Sequence, residues 1–252
     1  MIILLYPFIL TSLAGLSTLL GTLPIFVKIK DSNKLIGAGL SFASGVMICI
    51  SIMDLIPESI NYLRGNFKGI VVILLAFVTL ILGMVISSFM DKTIDKFSEG
   101  NSLYKTGILS MIAIILHNIP EGIVTFIVSN RNIMLGISIC VAITLHNIPE
   151  GISIAIPIYY STGSKFKAIL YTFISAISEL LGAVITWLFL DKFINDMILG
   201  ILFSFIAGIM IQISIGKLIP TGCNYNKKEA KLFFGIGFCF MIISLLLNSL
   251  IS

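Results

Sequence analysis

Eight stretches of this 252-residue chain are each long and apolar enough to cross a lipid bilayer, and the connections between them are short. A spanning helix needs about 20 mostly apolar residues. Cutting at the charged or turn-rich breaks gives spans at 3–28, 34–61, 68–90, 105–128, 133–160, 166–190, 196–222 and 230–251. The longest connection is expected over 91–105, and no stretch is left over for a soluble domain. The chain therefore reads as one all-α integral membrane domain, 1–252. Composition points the same way: 58% of residues are hydrophobic and 11% charged, where a soluble domain carries about 25% charged residues. The N-terminus is apolar at once, without a basic leader or a small-residue cleavage site, so 3–28 is expected to be a span and not a removed signal.

The same counts exclude several functions. Net charge is +4 and the basic residues are scattered over short loops, whereas a nucleic-acid binder gathers them on one face. No GxxxxGK[ST] phosphate loop occurs, so ATP is not an expected partner. Cys49, Cys140, Cys223 and Cys239 have no CxxC spacing and read as small hydrophobes. Orientation follows from the loops. With both termini outside, the inner loops hold Lys28, Lys30, Lys34, Lys92, Lys96, Lys105, Lys165, Lys167, Lys227, Lys228 and Lys231. The outer loops hold Arg64, Lys68, Arg131 and Lys192. Eleven against four is the bias that the positive-inside rule requires of short loops. The remaining basic residue, Lys217, falls inside a span.

Two internal repeats stand out. Residues 116–123 read LHNIPEGI, and 145–152 read LHNIPEGI again, on spans four and five, which cross in opposite directions. Residues 50–57 read ISIMDLIP and 213–220 read ISIGKLIP, on spans two and seven, also opposed. Inverted repeats with interrupted helices near the midplane mark secondary transporters.

The only two histidines, His117 and His146, lie in the repeated octapeptide, each four residues before a glutamate, Glu121 and Glu150. On a helix, i and i+4 share a face. Each helix thus offers an imidazole and a carboxylate one turn apart, with the amides of Asn118 and Asn147 beside them. Pro120 and Pro149 deprive the Leu116 and Leu145 carbonyls of their usual donors. Gly122 and Gly151 permit close helix approach. Glu179 is a further mid-span acid with no basic neighbour in sequence. An ionised carboxylate at the bilayer centre costs on the order of 2.5 kcal/mol or more. Three such acids call for cations, and a divalent ion supplies them. Imidazole, carboxylate and amide oxygen suit zinc, iron, manganese or cobalt better than calcium or magnesium. A set without thiolate suits a site that releases its ion. HNIPE is not the HExxH of metalloproteases, since the second histidine and the general-base glutamate are missing.

These motifs closely resemble the ZIP family of zinc–iron permeases and, within it, the bacterial broad-range zinc uptake branch, the ZupT-like proteins. They are HNIPEG at 117–122, HNIPEGISIAIPIYYSTGSK at 146–165, SAISELLGAVITWL at 175–188 and MDLIPES at 53–59. The resemblance covers essentially the whole chain. It implies an eight-helix 3+2+3 fold with inverted repeats and both termini extracellular or periplasmic, in the plasma (inner) membrane. It implies that zinc first, and iron, manganese, cobalt or cadmium besides, is the transported substrate and not a prosthetic group. It further implies a first metal site of His117, Glu121, His146 and Glu150. A second would comprise Asn118, Glu121, Asn147, Glu150 and Glu179, the two glutamates bridging. Asn147 stands where some members have aspartate. Gly216 and Lys217 stand where span seven often carries acids. Asp54 and Glu58, four apart near the outer end of span two, are expected to collect cations at the mouth. Beyond metal ions and the bilayer, a homodimer is compatible with the sequence. Two competing readings are a membrane-embedded di-metal enzyme and a proton or cation channel. An enzyme would need an open coordination position and a general base outside the ligand set, and no midplane acid is spare once Glu179 is a ligand.

The orientation is directly testable. In a background without the four native cysteines, Arg131→Cys should react with an impermeant thiol reagent from outside and Lys165→Cys should not. The reverse pattern would place both termini inside.

Overall fold

Four helices of this chain start on short polar side chains that accept from their own first turn. Asp31 accepts from the Asn33 and Lys34 amides at 3.1 and 3.3 Å. Asn132 accepts from Met134 and Leu135, Ser164 from Lys167, and Asn195 from Ile198. Each satisfies donors that a helix start leaves unpaired. Such caps, with Gly163 in the left-handed region (φ +68°) closing the helix before Ser164, explain how connections stay so short. The computed structural model describes residues 2–28, 30–95, 102–190 and 195–251. Within them the helices are α1 (Ile2–Leu16), α2 (Ser32–Ile50), α3 (Ile56–Arg64), α4 (Ile70–Asp95), α5 (Ser102–Arg131), α6 (Ile133–Thr162), α7 (Lys165–Ile185), α8 (Asp196–Ile213) and α9 (Ile219–Ile251).

The helices overrun the spans marked out by charge, because a capped helix continues past the lipid edge into the interface. The expected 91–105 connection differs most at its two ends, 91–95 and 102–105, which are helical, while 96–101 lie outside the described residues. Asp91 lies inside α4 and Lys105 inside α5, since the two pair with each other at 2.8 Å.

Four crossings change pitch along their length. A 3₁₀ segment, Ser17–Phe26, continues α1; runs beyond three or four residues are uncommon. Here Ser17, Thr18 and Thr22 donate to carbonyls three residues back, at 2.5, 2.7 and 2.8 Å, and reinforce the tighter winding. Wide π turns occupy Ser51–Leu55 and Ser214–Leu218, at equivalent positions of the two ISI…LIP repeats. In each, an amide reaches five residues back, Ile56 to Ser51 and Ile219 to Ser214. Pro57 and Pro220 follow directly, and a proline ring would strike the carbonyl four residues back; the wider turn relieves that clash. A third π turn, Thr186–Leu190, ends the α7 crossing. By contrast α5 and α6 run unbroken through Pro120 and Pro149.

Among the described residues, seven helical runs are long and apolar enough to span, one of them Asp196–Asn248, of 53 residues. That run folds back at Asn226, whose backbone is extended (φ −157°, ψ 97°) and whose side chain accepts from the Glu229 amide. The direction change is visible along α2. Gly37 meets Gly222, and Ser44 donates to the Ser214 carbonyl at 3.5 Å, so numbering falls as α2 advances. Beyond Asn226 it rises: Gly37 meets Asn226, Gly45 meets Phe234 and Phe238, and Ile50 faces the same cavity as Met241 and Leu245. A membrane crossing needs only about 20 residues, and each half is of that order.

The helices sort into two bundles. One contains α1 with its 3₁₀ segment, α5, α6 and α7; the other contains α2, α3, α4, α8 and α9. They meet along a seam where α2 faces α6 and α5 faces α8. Among the described residues, each glycine whose added Cβ would strike another helix's backbone does so inside its own bundle. Gly122 lies against the Glu179 carbonyl, Gly151 against that of Thr18, Gly83 against Phe205 and Gly208 against Leu80. Across the seam Gly39 meets side chains, those of Ile152 and Ile156. Backbone contact without hydrophobic drive is how helices associate in lipid.

Gly208→Leu should therefore push α8 off α4. Thermal unfolding in detergent should show a melting temperature lower by about 2–4 °C for each kcal/mol of overpacking. Gly235→Ala, with nothing within 4 Å, should leave it unchanged.

Candidate metal centre

The two octapeptides lie on unbroken stretches of α5 and α6, so each His–Glu pair keeps its i,i+4 register. His117 Nε2 lies 3.0 Å from Glu121 Oε1 on its own helix and 3.4 Å from Glu150 Oε1 across the interface. His146 Nε2 lies 2.9 Å from the same Glu121 Oε1. The imidazole centroids are 6.1 Å apart. Glu121 thus receives both histidines, while Glu150 approaches His117 only. Identical octapeptides take unequal roles because their neighbours differ: α7 presses on Gly122 and the 3₁₀ segment on Gly151.

Donor atoms of His117, Glu121 and His146 lie within 4.8 Å of one another, close enough to share one ion. All seven residues expected at the midplane are buried, with Asn118, Asn147, Glu150 and Glu179 at 0% exposure. On the side away from the histidines, Asn147 Nδ2 donates to Glu179 Oε2 and to the Ala14 carbonyl, both at 3.0 Å. Asn118 Nδ2 donates to the Ser175 carbonyl at 3.3 Å. These amides spend their N–H groups on the protein and leave their oxygens free. Six buried oxygens have no hydrogen-bond donor: Asn118 Oδ1, Glu121 Oε2, Asn147 Oδ1, both of Glu150, and Glu179 Oε1. Buried acceptors are normally paired, and a cation would satisfy this set at once.

A cavity of about 290 Å³ reaches Glu121 and His146. Asp54 and Glu58 line its wall on the opposite bundle, with Tyr62 and Phe203. Asp54 sits on the wide turn of α2, half-buried, and Glu58 is exposed. The structure thus joins the two mouth acids to the midplane cluster through one space. Ala14 and Ser175, whose carbonyls hold the two asparagines, went unread in the sequence. Their only signal was small residues, Gly15 and Ala176, at the contact of α1 with α7.

A profile described as ZIP Zinc transporter matches residues 98–246, a segment containing all seven midplane residues. Proteins named Zinc transporter ZupT align over nearly the whole chain. The one from Oceanobacillus iheyensis is 37% identical, covering 95% of this chain and 97% of its own length. The one from Campylobacter jejuni is 38% identical over 94% of each chain. That from Streptococcus mutans is 37% identical, over 95% of this chain and 96% of its own. The chain belongs to the ZIP family. It is a multi-pass membrane protein, and within this family the buried imidazole–carboxylate cluster fits a metal site.

Among the described residues, the grouped donors are the nitrogens of His117 and His146 and a carboxylate oxygen of Glu121. X-ray absorption of zinc-loaded protein should show a mixed N/O shell at about 2.0–2.2 Å and no sulfur near 2.3 Å. A sulfur shell would place the ion elsewhere.

Proposed function

We propose that this protein is a plasma-membrane carrier that imports divalent transition-metal ions, zinc first, through the cluster of α5, α6 and α7. One observation carries the reading: His117, Glu121 and His146 converge, buried, and the latter two line an acid-walled cavity in a ZIP-family chain. Relatives that align end to end are named zinc transporters, which favours transport over di-metal enzymology. Eight crossings, with both termini outside, accommodate the loop charges and the reversal at Asn226. Iron, manganese, cobalt and cadmium are further candidates on donor chemistry.

In this reading His117, Glu121, His146 and Glu150 hold a first ion. Asn118, Asn147 and Glu179, with the second oxygens of Glu121 and Glu150, hold an auxiliary one. The unpaired oxygens on the asparagine side support that division. Asp54 and Glu58 gather cations at the cavity mouth. Binding frees the site of any protons its ligands carry, so the ion and the carboxylates reach lipid depth already neutralised by each other.

Uptake of radioactive zinc by liposomes, normalised to inserted protein, tests the whole assignment. Glu121→Ala and Glu150→Ala should abolish uptake, and His117→Ala and His146→Ala should cripple it. Asn118→Ala, Asn147→Ala and Glu179→Ala should leave measurable transport with altered rate or metal preference. The double change Asp54→Asn, Glu58→Gln should raise the apparent KM at low ionic strength and leave the maximal rate nearly unchanged. Full activity in Glu121→Ala would refute the site, and equal loss at all seven midplane positions would refute the division.

A further inference from the structure

Asp91 holds two lysines. Its Oδ1 is 2.8 Å from Lys105 Nζ and its Oδ2 is 2.7 Å from Lys217 Nζ. The two contacts differ in kind. Asp91 (α4) and Lys217 (the wide turn after α8) belong to the same bundle, whereas Lys105 lies on α5, in the bundle that carries the metal cluster. One limb of the triad therefore crosses the seam and the other does not. The next residue of α5 adds a second cross-tie, Thr106 Oγ1 to Thr221 Oγ1 at 3.2 Å. Lys105 is 7% exposed and Thr106 2%. Lys105 precedes His117 by twelve residues on one helix, about 18 Å along its axis. The cavity with Asp54 and Glu58 opens from the other side of the cluster, toward Val124 and Ile139. The seam thus opens onto a cavity at one end, where Ser138 donates to Asn248 Oδ1 at 3.0 Å, and carries the charged tie at the other.

The repeat sharpens this contrast. Asp54 and Lys217 occupy the same position of ISIMDLIP and ISIGKLIP, each on its wide π turn. Where the open end presents a carboxylate to the cavity, its counterpart at the tied end presents an ammonium that anchors the tie. A cation leaving the cluster on that side would meet two ammonium groups and a carboxylate already neutralised by them.

We propose that the Lys105–Asp91 ion pair, anchored by Lys217, is a latch that holds the seam shut at the end away from the cavity. It rests on the import reading above, because a carrier must open its two ends in turn. The triad suits that use. When the bundles part, Lys105 leaves with α5 while Asp91 keeps Lys217, so no carboxylate is stranded bare in a low-dielectric place. Where α2 faces α6, Gly39 meets only side-chain atoms, those of Ile152 and Ile156, so a charged tie elsewhere on the seam carries weight in the balance of the two states.

Leu109 reports the state of this end. It is 1% exposed and lines a small cavity of about 60 Å³ with Asp91, Gln212 and Lys217. Leu109→Cys, in a background with Cys49, Cys140, Cys223 and Cys239 replaced, is labelled in inside-out vesicles with an impermeant thiol reagent and no metal. Adding Lys105→Met should speed labelling roughly fivefold, the shift in a two-state balance expected of losing one ion pair. Lys217→Met, which spares the cross-seam limb, should change it by much less, and Lys105→Arg should keep the parent rate. Unchanged labelling in Lys105→Met overturns the latch. So does an equal rise in Lys217→Met, or a rise in Lys105→Arg, which would assign the effect to packing. Zinc uptake by the parent is read separately. A parent that carries no zinc refutes the import reading, and the labelling comparison still decides whether the ion pair closes the seam.

Discussion

Carboxylates inside a hydrocarbon layer are the constraint around which this fold is arranged. Glu121, Glu150 and Glu179 are buried on helices long enough to span, and an isolated charge there is costly. The protein meets that cost by bringing three helices so close that the acids meet imidazoles and amides instead of lipid. Closeness in turn depends on missing side chains. A Cβ on Gly122 or Gly182 would strike the backbone of the facing helix at Glu179 or Ile119. The glycine of each HNIPEG motif is therefore as much a part of the site as the histidine five residues before it.

That dependence explains which parts were legible. A buried, charged, duplicated motif is visible in one sequence because polar residues are rare in apolar spans, so spacing alone singles out His117, Glu121, His146 and Glu150, which the structure brings together. The pairing of Asp54 with Glu58 on one face was equally plain, and both face the cavity. The inequality of the two octapeptides was not readable. Nothing in LHNIPEGI says that Glu121 takes both imidazoles, because the difference comes from Glu179 on one side and the Thr18 region on the other. Likewise Ala14 and Ser175 contribute main-chain carbonyls, which every residue has, so side-chain chemistry could not single them out.

Boundaries failed for a different reason. Charge marks where a chain could leave the membrane, yet Asp91 and Lys105 stay inside helices because each neutralises the other. Asp196–Asn248 is one helical run to within a single residue, since Asn226, extended and with its own side chain as the next cap, reverses the helix almost without a loop. The repeat around Pro57 and Pro220 was visible as letters. Its structural meaning, a π turn in each copy, follows from a proline that a regular turn would not accommodate.

The same turns show how one inverted repeat came to serve two unlike ends. Duplication supplies equal geometry: a widened turn, a serine, and a side chain carried four residues into the repeat. What distinguishes the copies is the sign of that side chain. Asp54 faces a cavity shared with Glu58, Glu121 and His146, while Lys217 is bound to an aspartate of its own bundle. All seven midplane residues belong to the other bundle, and their contacts with one another and with Ala14 and Ser175 do not cross the seam. The geometry of the cluster is consequently set inside one glycine-packed body, whereas the cavity beside it is walled in part by the body opposite. Relative movement of the two would change what the cluster faces and leave the cluster itself intact. That separation lets a site bind an ion by firm contacts and still surrender it on either side.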